Sequence, residues 1–493
     1  MPRSNRVRID SVSVKATQKN VIGGCGLALF MKYLTRTGVF RIINSMLPES
    51  TSNAGYESEV YIKTLWALNM LYPDTNAPFT RIDEMRESKA IKQALMVKDI
   101  PCSGAVGDWL RRIACCERVG RLPDKSLVLG GYEDGLMCAR DMFYEVTGGI
   151  IKKMAGEMGN TLDFDASCIF GDKRCDEWMY NGQKGTMSYL AFMGRICIMI
   201  ELEEGNHSPS DSIPRRIASN VEYAEINGLV VEIIRSDSAA YHNEVINGCN
   251  RAHRKFYVRA DTDPSVLRSC RRIRDWAQYD VEVSKGKKCR HEIGTTVHCM
   301  DRTKEAFILV VKREVDREKN EKKPQMALPE INVTKWKYWC IATNEDVRTG
   351  RDDKGLTPAE VEEEFNDHCD VENRIKQIKS DAGVGRLPTS ELGANRVYAY
   401  IMGMLHNVFE LFKIECLPPT YRNKRMPTVV RELLLAPGKL VVQGHKMIID
   451  LAVYFGWAVE IYESILKVIR KGVRVLPRSA MPVSFGKVIF RRE

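Results

Sequence analysis

LDFDASCIF (162–170) places two carboxylates inside an apolar run. The pattern reads as a β-strand, and an unpaired charge such as Asp165 is costly to bury within one. Neighbouring runs carry the same strand signature: SYLAFMG (188–194), ICIMIEL (196–202) and LVVEIIRSD (229–237). The middle two are almost contiguous, which predicts a tight connection near Gly194. A helical stretch follows at 239–250, then a further strand, KFYVRAD (255–261). More strands are expected in GTTVHCM (294–300), AFILVVKREV (306–315) and KYWCIAT (337–343). The charged run DREKNEKKP (316–324) between them reads as an exposed loop.

Outward from this strand-rich middle, the pattern becomes helical on both sides. Leu27, Leu29, Phe30, Met31 and Leu34, then Tyr61, Leu65, Leu68 and Leu71, recur at helical spacing and predict a bundle over the first 150 residues. On the other side, Thr357 as N-cap, Pro358 at N1 and Glu360 at N3 form a capping box, opening an amphipathic helix that runs to Ser380 or Asp381. A second, more apolar helix at about 391–414 is expected to be buried. After Pro418–Pro419 come a strand pair, GKLVVQ and HKMIIDL, a helix near 456–471 and a basic tail at 467–492.

The 493 residues predict roughly three structural units. With 44% hydrophobic and 28% charged residues, the chain fits an ordinary globular protein rather than a disordered or fibrous one. The net charge of +10 and pI near 8.8 permit a polyanionic partner without requiring one. Fifteen cysteines, with no C-x-x-C pair, point to a reducing compartment. The N-terminus lacks an apolar signal segment, and no apolar run spans a membrane. The expectation is a cytoplasmic protein, nucleoid-associated if bacterial, with no membrane partner.

Three carboxylates carry the chemistry. Asp165 lies in the first strand, Asp237 ends the strand LVVEII–RSDS, and Glu372 sits on the capped helix in HCDVENRIKQIKSD. If they converge, their hard oxygen ligands suit two Mg²⁺ (or Mn²⁺) ions for an in-line phosphoryl displacement. Taken singly, each has a blander role: a turn former or cap for the aspartates, an i,i+4 pair with Lys376 for Glu372. Asp163 competes with Asp165, and Asp261 in YVRADTD competes with Asp237. Basic clusters at Arg251, Arg254 and Lys255, and at Arg271, Arg272 and Arg274, are free of acids and suited to a phosphate backbone. Cys289, His291, His298 and Cys299 form C-x-H-x₆-H-C, but strand alternation puts the last two on opposite faces, against a shared zinc.

The runs D-x-D-A-S (163–167), R-S-D-S (235–238) and V-E-N-R-I-K-Q (371–377) resemble the catalytic segments of DDE insertion-sequence transposases, in the bacterial branch with a β-rich insertion before the Glu. GGCGLALFMKYLTRTGV (23–39), TRIDEMRESKAIKQAL (80–95), SGAVGDWLRRI (103–113), WCIATNE (339–345) and RELLLAPGKLVV (431–442) resemble other parts of that group, so the resemblance covers most of the chain. The family's Tyr, Arg, Glu, Lys signature falls on Phe365, His368, Glu372 and Lys379, of which the last two match. Spacings of four and seven keep these four on one helical face.

The resemblance implies an α/β fold with an RNase H-like catalytic core, an inserted β-rich subdomain and an N-terminal helical domain. The expected divisions are an end-binding and dimerisation region (1–155), the first part of the core (156–262), the insertion (263–346), the second part of the core (347–415) and a basic C-terminal extension (416–493). It further implies two-metal cut-and-paste transposition by Asp165, Asp237 and Glu372, acting as a homodimer on the terminal inverted repeats and target of double-stranded DNA. Lys379, His368 and Phe365 would contact DNA, and Trp336 would stack a flipped base. Two alternatives stay open: a metal-dependent nuclease on the same core, and a domesticated DNA-binding protein that has lost catalysis, to which the Phe365 and His368 departures point.

Overall fold

The computed structural model describes residues 21–48, 55–72, 78–115, 132–179, 182–206, 212–284, 287–300, 303, 305–315, 336–348, 355–366, 369–443, 446–451 and 456–481. The first part is helical, with α1 (Leu27–Thr37), α2 (Ser58–Leu71), α3 (Ser103–Cys115) and α4 (Tyr132–Met154). In α1 the i, i+3, i+4, i+7 set Leu27, Phe30, Met31 and Leu34 is fully buried, as its spacing requires.

The sheet begins after α4. β1 (Thr161–Phe170), β2 (Lys184–Met193) and β3 (Ile196–Glu204) form an antiparallel meander. Gly194, at φ +54°, makes the tight turn between β2 and β3, a conformation that glycine adopts without a Cβ penalty. α5 (Ile213–Ile226) then carries the chain to the other side of β1, where β4 (Ile233–Ser236) pairs parallel to it. α6 (Asn243–Arg251) leads to β5 (Lys255–Ala260), parallel to β4. The five strands therefore lie in the order 3-2-1-4-5, with β2 antiparallel to the rest.

Beyond α7 (Pro264–Cys270), β6 (Ala277–Ser284), β7 (Lys287–Cys299), β8 (Ala306–Val315) and β9 (Trp336–Thr343) make a second antiparallel meander. Its last strand pairs with β5, Cys340 opposite Ala260. These strands thus extend the first five into one ten-stranded sheet that includes the short strand Glu177–Trp178. By pairing with β5, β9 covers backbone groups that would otherwise form an open edge. The strand β6 is absent from the sequence expectation because Asp280 and Glu282 interrupt its apolar pattern.

The capping box forms in both directions: the Thr357 backbone N–H donates to Glu360 Oε2 at 2.7 Å and the Glu360 N–H to Thr357 Oγ1 at 3.2 Å. The helix it opens is less continuous than its sequence suggests. α8 (Pro358–Asn366) is followed by α9 (Cys369–Lys376) and then by a π-helical turn, Gln377–Asp381. Next, α10 (Leu392–Cys416) is buried along nearly its whole length and packs on α3, α4 and β3. Its Asn407 substitutes for a strand neighbour at Cys197, accepting from the Cys197 N–H at 2.9 Å and donating to its carbonyl at 2.7 Å, next to the β-bulge between β2 and β3.

The C-terminal part folds back on the N-terminal part. β10 (Gly438–Gln443) and β11 (Lys446–Leu451) form a hairpin that pairs with Val21–Ile22, and α11 (Gly456–Lys471) packs on α1. The main hydrophobic core draws on residues from Leu27 to Leu476, and a smaller cluster gathers around Tyr257, Ile341 and Val361. Among the described residues no helix is long and apolar enough to cross a membrane.

Candidate active site

Parallel pairing of β1 with β4 builds the site. Asp163 stands opposite Arg235 and Phe164 opposite Ser236, so Asp165 and Asp237 follow as neighbours one residue beyond the last registered pair. Strand alternation puts Asp163 and Asp165 on one face. The two aspartates of β1 nevertheless have different surroundings.

Asp163 is neutralised. Arg235 Nε donates to its Oδ1 at 2.6 Å and Nη2 to its Oδ2 at 3.3 Å, while Arg374 from α9 lies 3.8 Å from Oδ2. Asp163 and Arg235 are both buried, and Arg235 also donates to the Glu364 carbonyl at 2.7 Å, tying the end of α8 to β4. Asp165, by contrast, faces a like charge: its carboxyl hydrogen bonds with that of Asp237. Burial, and then the Asp237 charge and this hydrogen bond, raise its pKa to about 8, against the opposing pull of Lys379 and the Ala166 backbone N–H. Of the β1 pair, Asp165 is the one that shares a site with a second carboxylate.

Asp237 is also an N-cap. Its Oδ1 accepts from the Ala239 N–H at 3.1 Å, fixing the carboxylate at the head of the short 3₁₀ turn Ser238–Ala240. The capping role and the pairing with Asp165 coexist in one side chain. The competing Asp261 is exposed past the end of β5, where it lines a cleft of about 520 Å³ with Ser238 and Trp336.

α9 and its π-turn cross β1 over this pair. Arg374 reaches Asp163, and Lys379 Nζ donates to Ser167 Oγ at 2.6 Å and to the Cys168 carbonyl at 2.7 Å, so the two contacts bracket Asp165. Burial lowers the Lys379 pKa and the Asp165 charge acts against that shift. Lys379 thus points at the strand that carries the acids. π-turns of this kind are frequent at functional sites. Glu372 is exposed and makes no hydrogen bond or ion pair with a described residue. Among the described residues no three His, Cys, Asp or Glu side chains are grouped closely enough to hold a metal ion. The structure therefore brings Asp165 and Asp237 together and leaves Glu372 on the crossing helix, outside a joint cluster.

The expected DNA contacts divide similarly. His368 lies outside the described residues. Phe365 packs, half-buried, against the small apolar cluster around Tyr257, Ile341 and Val361. Arg254 is committed to Glu225 at 2.7 Å and to the Val231 carbonyl at 3.0 Å, and Lys255 to Glu345 at 2.8 Å. Arg251, Arg271, Arg272 and Arg274 are exposed. Trp336 has the Arg313 guanidinium 4.0 Å from its ring centre, and that guanidinium also lies 3.8 Å from the Trp276 ring. His291 sits beside Glu314 and Trp339, while His298 accepts or donates at 2.9 Å with Ser269, so the two histidines serve separate packing roles. Residues 482–493 of the basic tail lie outside the described residues.

Sequence reading missed the Asp163–Arg235 ion pair. Its signal was present: each strand carries a charged residue two positions before its acid, negative in DFD and positive in RSD, and parallel register pairs them.

No protein-family model matches the sequence, and no curated protein matches it. Among solved structures, the chain is similar to piggyBac transposase in a cryo-EM structure of its synaptic complex with hairpin DNA. The identity is 12% and the TM-score 0.42, over 85% of this chain and 82% of that one.

Proposed function

We propose that this chain is a DDE-type transposase that cuts and rejoins DNA phosphodiesters. The observation that carries the reading is the carboxyl–carboxyl contact of Asp165 with Asp237 on adjacent parallel strands, crossed by the helix that bears Glu372 and Lys379. Two carboxylates in contact cannot both ionise at neutral pH without a compensating cation or a shared proton. The strand order 3-2-1-4-5 with an antiparallel second strand supports an RNase H-like core, in which the meander of β6 to β9 is the insertion.

Asp165 and Asp237 are hard oxygen donors in contact, the chemistry that suits a divalent cation. With Glu372 brought in from the helix beside them, they would hold magnesium or manganese, and a bound pair of such ions supplies activation of the attacking oxygen and charge stabilisation at the leaving oxygen. The chain's own residues do the rest. Arg235 engages Asp163 and so keeps that carboxylate out of the site. The Ala239 N–H fixes one oxygen of Asp237. Lys379 lowers the cost of ionising Asp165. The exposed arginines 251, 271, 272 and 274 supply positive charge for a phosphate backbone, with a homodimer on paired DNA ends as the expected assembly.

The test is Mg²⁺-dependent nicking of a supercoiled plasmid carrying the DNA that flanks the gene, followed by assay for strand-transfer products. Asp165→Asn, Asp237→Asn and Glu372→Gln should each reduce nicking at least about 100-fold. Undiminished nicking in either aspartate variant overturns the assignment, and nicking without joined products selects a nuclease.

A further inference from the structure

A second cleft opens beside α9. It has a volume of about 470 Å³, and its walls carry Arg195, Arg374, Lys376, Lys413, Arg422 and Arg425 against one acid, Glu410. Three separate segments contribute these cations: the turn after β2, α9, and the end of α10 with the loop that follows it.

Some of this charge is spent on building the cleft. Lys413 pairs with Glu410 at 2.7 Å and donates to the carbonyls of Arg422 at 3.2 Å and Lys424 at 2.9 Å, which fixes the loop after α10. Arg425 holds the buried Asp381 at the end of the π-turn. Among the described residues, most of the other cations share their acids or lack one. Glu410 is shared by Lys413 and, at 3.8 Å, by Arg195, and Asp163 is shared by Arg374 and Arg235. Lys376 is exposed and has no acidic partner among the described residues. Arg422 meets Glu157 at 3.3 Å through one guanidinium nitrogen, while its Nε is buried without an acceptor among the described residues. An oxyanion with several lone pairs suits the accessible nitrogens of forked guanidinium donors such as those of Arg422 and Arg425.

We propose that this cleft is a phosphate-backbone site that seats a DNA strand alongside the helix crossing the Asp165–Asp237 pair. The proposal rests on the DNA-cutting reading above. It deepens that reading by assigning a binding surface lined by Arg374, Lys376 and Gln377, and it gives Arg374 two roles: one in contact with Asp163, one facing the DNA strand. Phosphate contacts of this type fix register and orientation without reading sequence.

The test uses the full chain and a 30-base-pair duplex of arbitrary sequence, with binding followed by fluorescence anisotropy across a salt series. Lys376→Ala should weaken binding several-fold and flatten the log Kd against log salt slope by about one; Lys376→Ala with Arg422→Gln should weaken it at least about tenfold and flatten the slope by about two. Lys376 is exposed and has no acidic partner among the described residues, so its single variant leaves the fold intact if the double variant does not fold. Unchanged Kd and slope in Lys376→Ala and in a folded double variant overturn the proposal. Asp165→Asn in the same assays keeps the two readings apart. Loss of nicking with retained binding upholds the active-site assignment whatever the cleft variants do, and loss of affinity in the cleft variants upholds the cleft whatever Asp165→Asn does.

Discussion

Arg235 and Asp163 face each other in parallel register and close a buried ion pair at 2.6 Å, two residues before the point where Asp237 and Asp165 meet. One period of strand alternation separates a neutralised ion pair from two carboxyls in contact. The first holds the strands and the end of α8 in place, and the second creates the demand for a cation.

Removing Arg235 should therefore act on stability first. Arg235→Ala removes the nearest cation from buried Asp163 and should destabilise the fold by about 3 kcal/mol. Asp163→Asn in the same background should recover part of that loss, because the buried charge is gone. Urea denaturation of the two variants measures both effects; equal stability of Arg235→Ala and wild type would show that the pair is dispensable.

The Asp165 shift predicts a pH dependence of the metal-free protein. Its folded pKa, about 8, lies above the unfolded carboxylate value, so the folded state holds the extra proton between roughly pH 4 and pH 8. Stability from this group is present at low pH and is lost as pH rises through that window. Thermal melts in chelator should show it, and added Mg²⁺ should restore stability most at the alkaline end. In Asp165→Asn this contribution to the pH slope and most of the Mg²⁺ effect should vanish.

Lys379 lowers the Asp165 pKa through its charge. In Lys379→Met, Asp165 keeps its proton to higher pH, and the ascending limb of the Mg²⁺-dependent nicking profile should move to more alkaline pH. A profile that falls in amplitude with its midpoint fixed would instead assign Lys379 a purely positional role.

Gly383 follows the π-turn at φ +80°, and a Cβ there would lie 2.1 Å from Asn69 Oδ1 and 3.1 Å from the Tyr398 hydroxyl. Gly383→Ala should cost at least about 1–2 kcal/mol from the left-handed backbone alone. A melting temperature equal to wild type would show that the loop relaxes freely.

Several of these features are legible in the chain before folding. Apolar strands around DFDAS and IIRSD, the reciprocal Thr357–Glu360 cap and the buried α10 follow from local pattern, and all four are where the pattern puts them. The contact of Asp165 with Asp237 follows from reading two strand acids as neighbours. What local pattern does not carry is distant pairing. Arg254 and Lys255 read as a free basic cluster because Glu225 and Glu345 are remote in sequence. The π-turn leaves no trace because Ile375 and Ile378 keep an ordinary i,i+3 spacing. The cationic cleft is invisible for the same reason: its residues come from three separate segments.

The short pairing of Val21–Ile22 with Gly438–Lys439 has a consequence for assembly of the molecule. During synthesis, α1 emerges long before α10 and α11, so the part of its buried face that meets them, Phe30 against Phe409 and Phe412 included, stays uncovered until those helices follow. Nascent chains released before Leu451 should then be more aggregation-prone than longer ones, which ties closure of this part of the fold to the arrival of residues far along the chain.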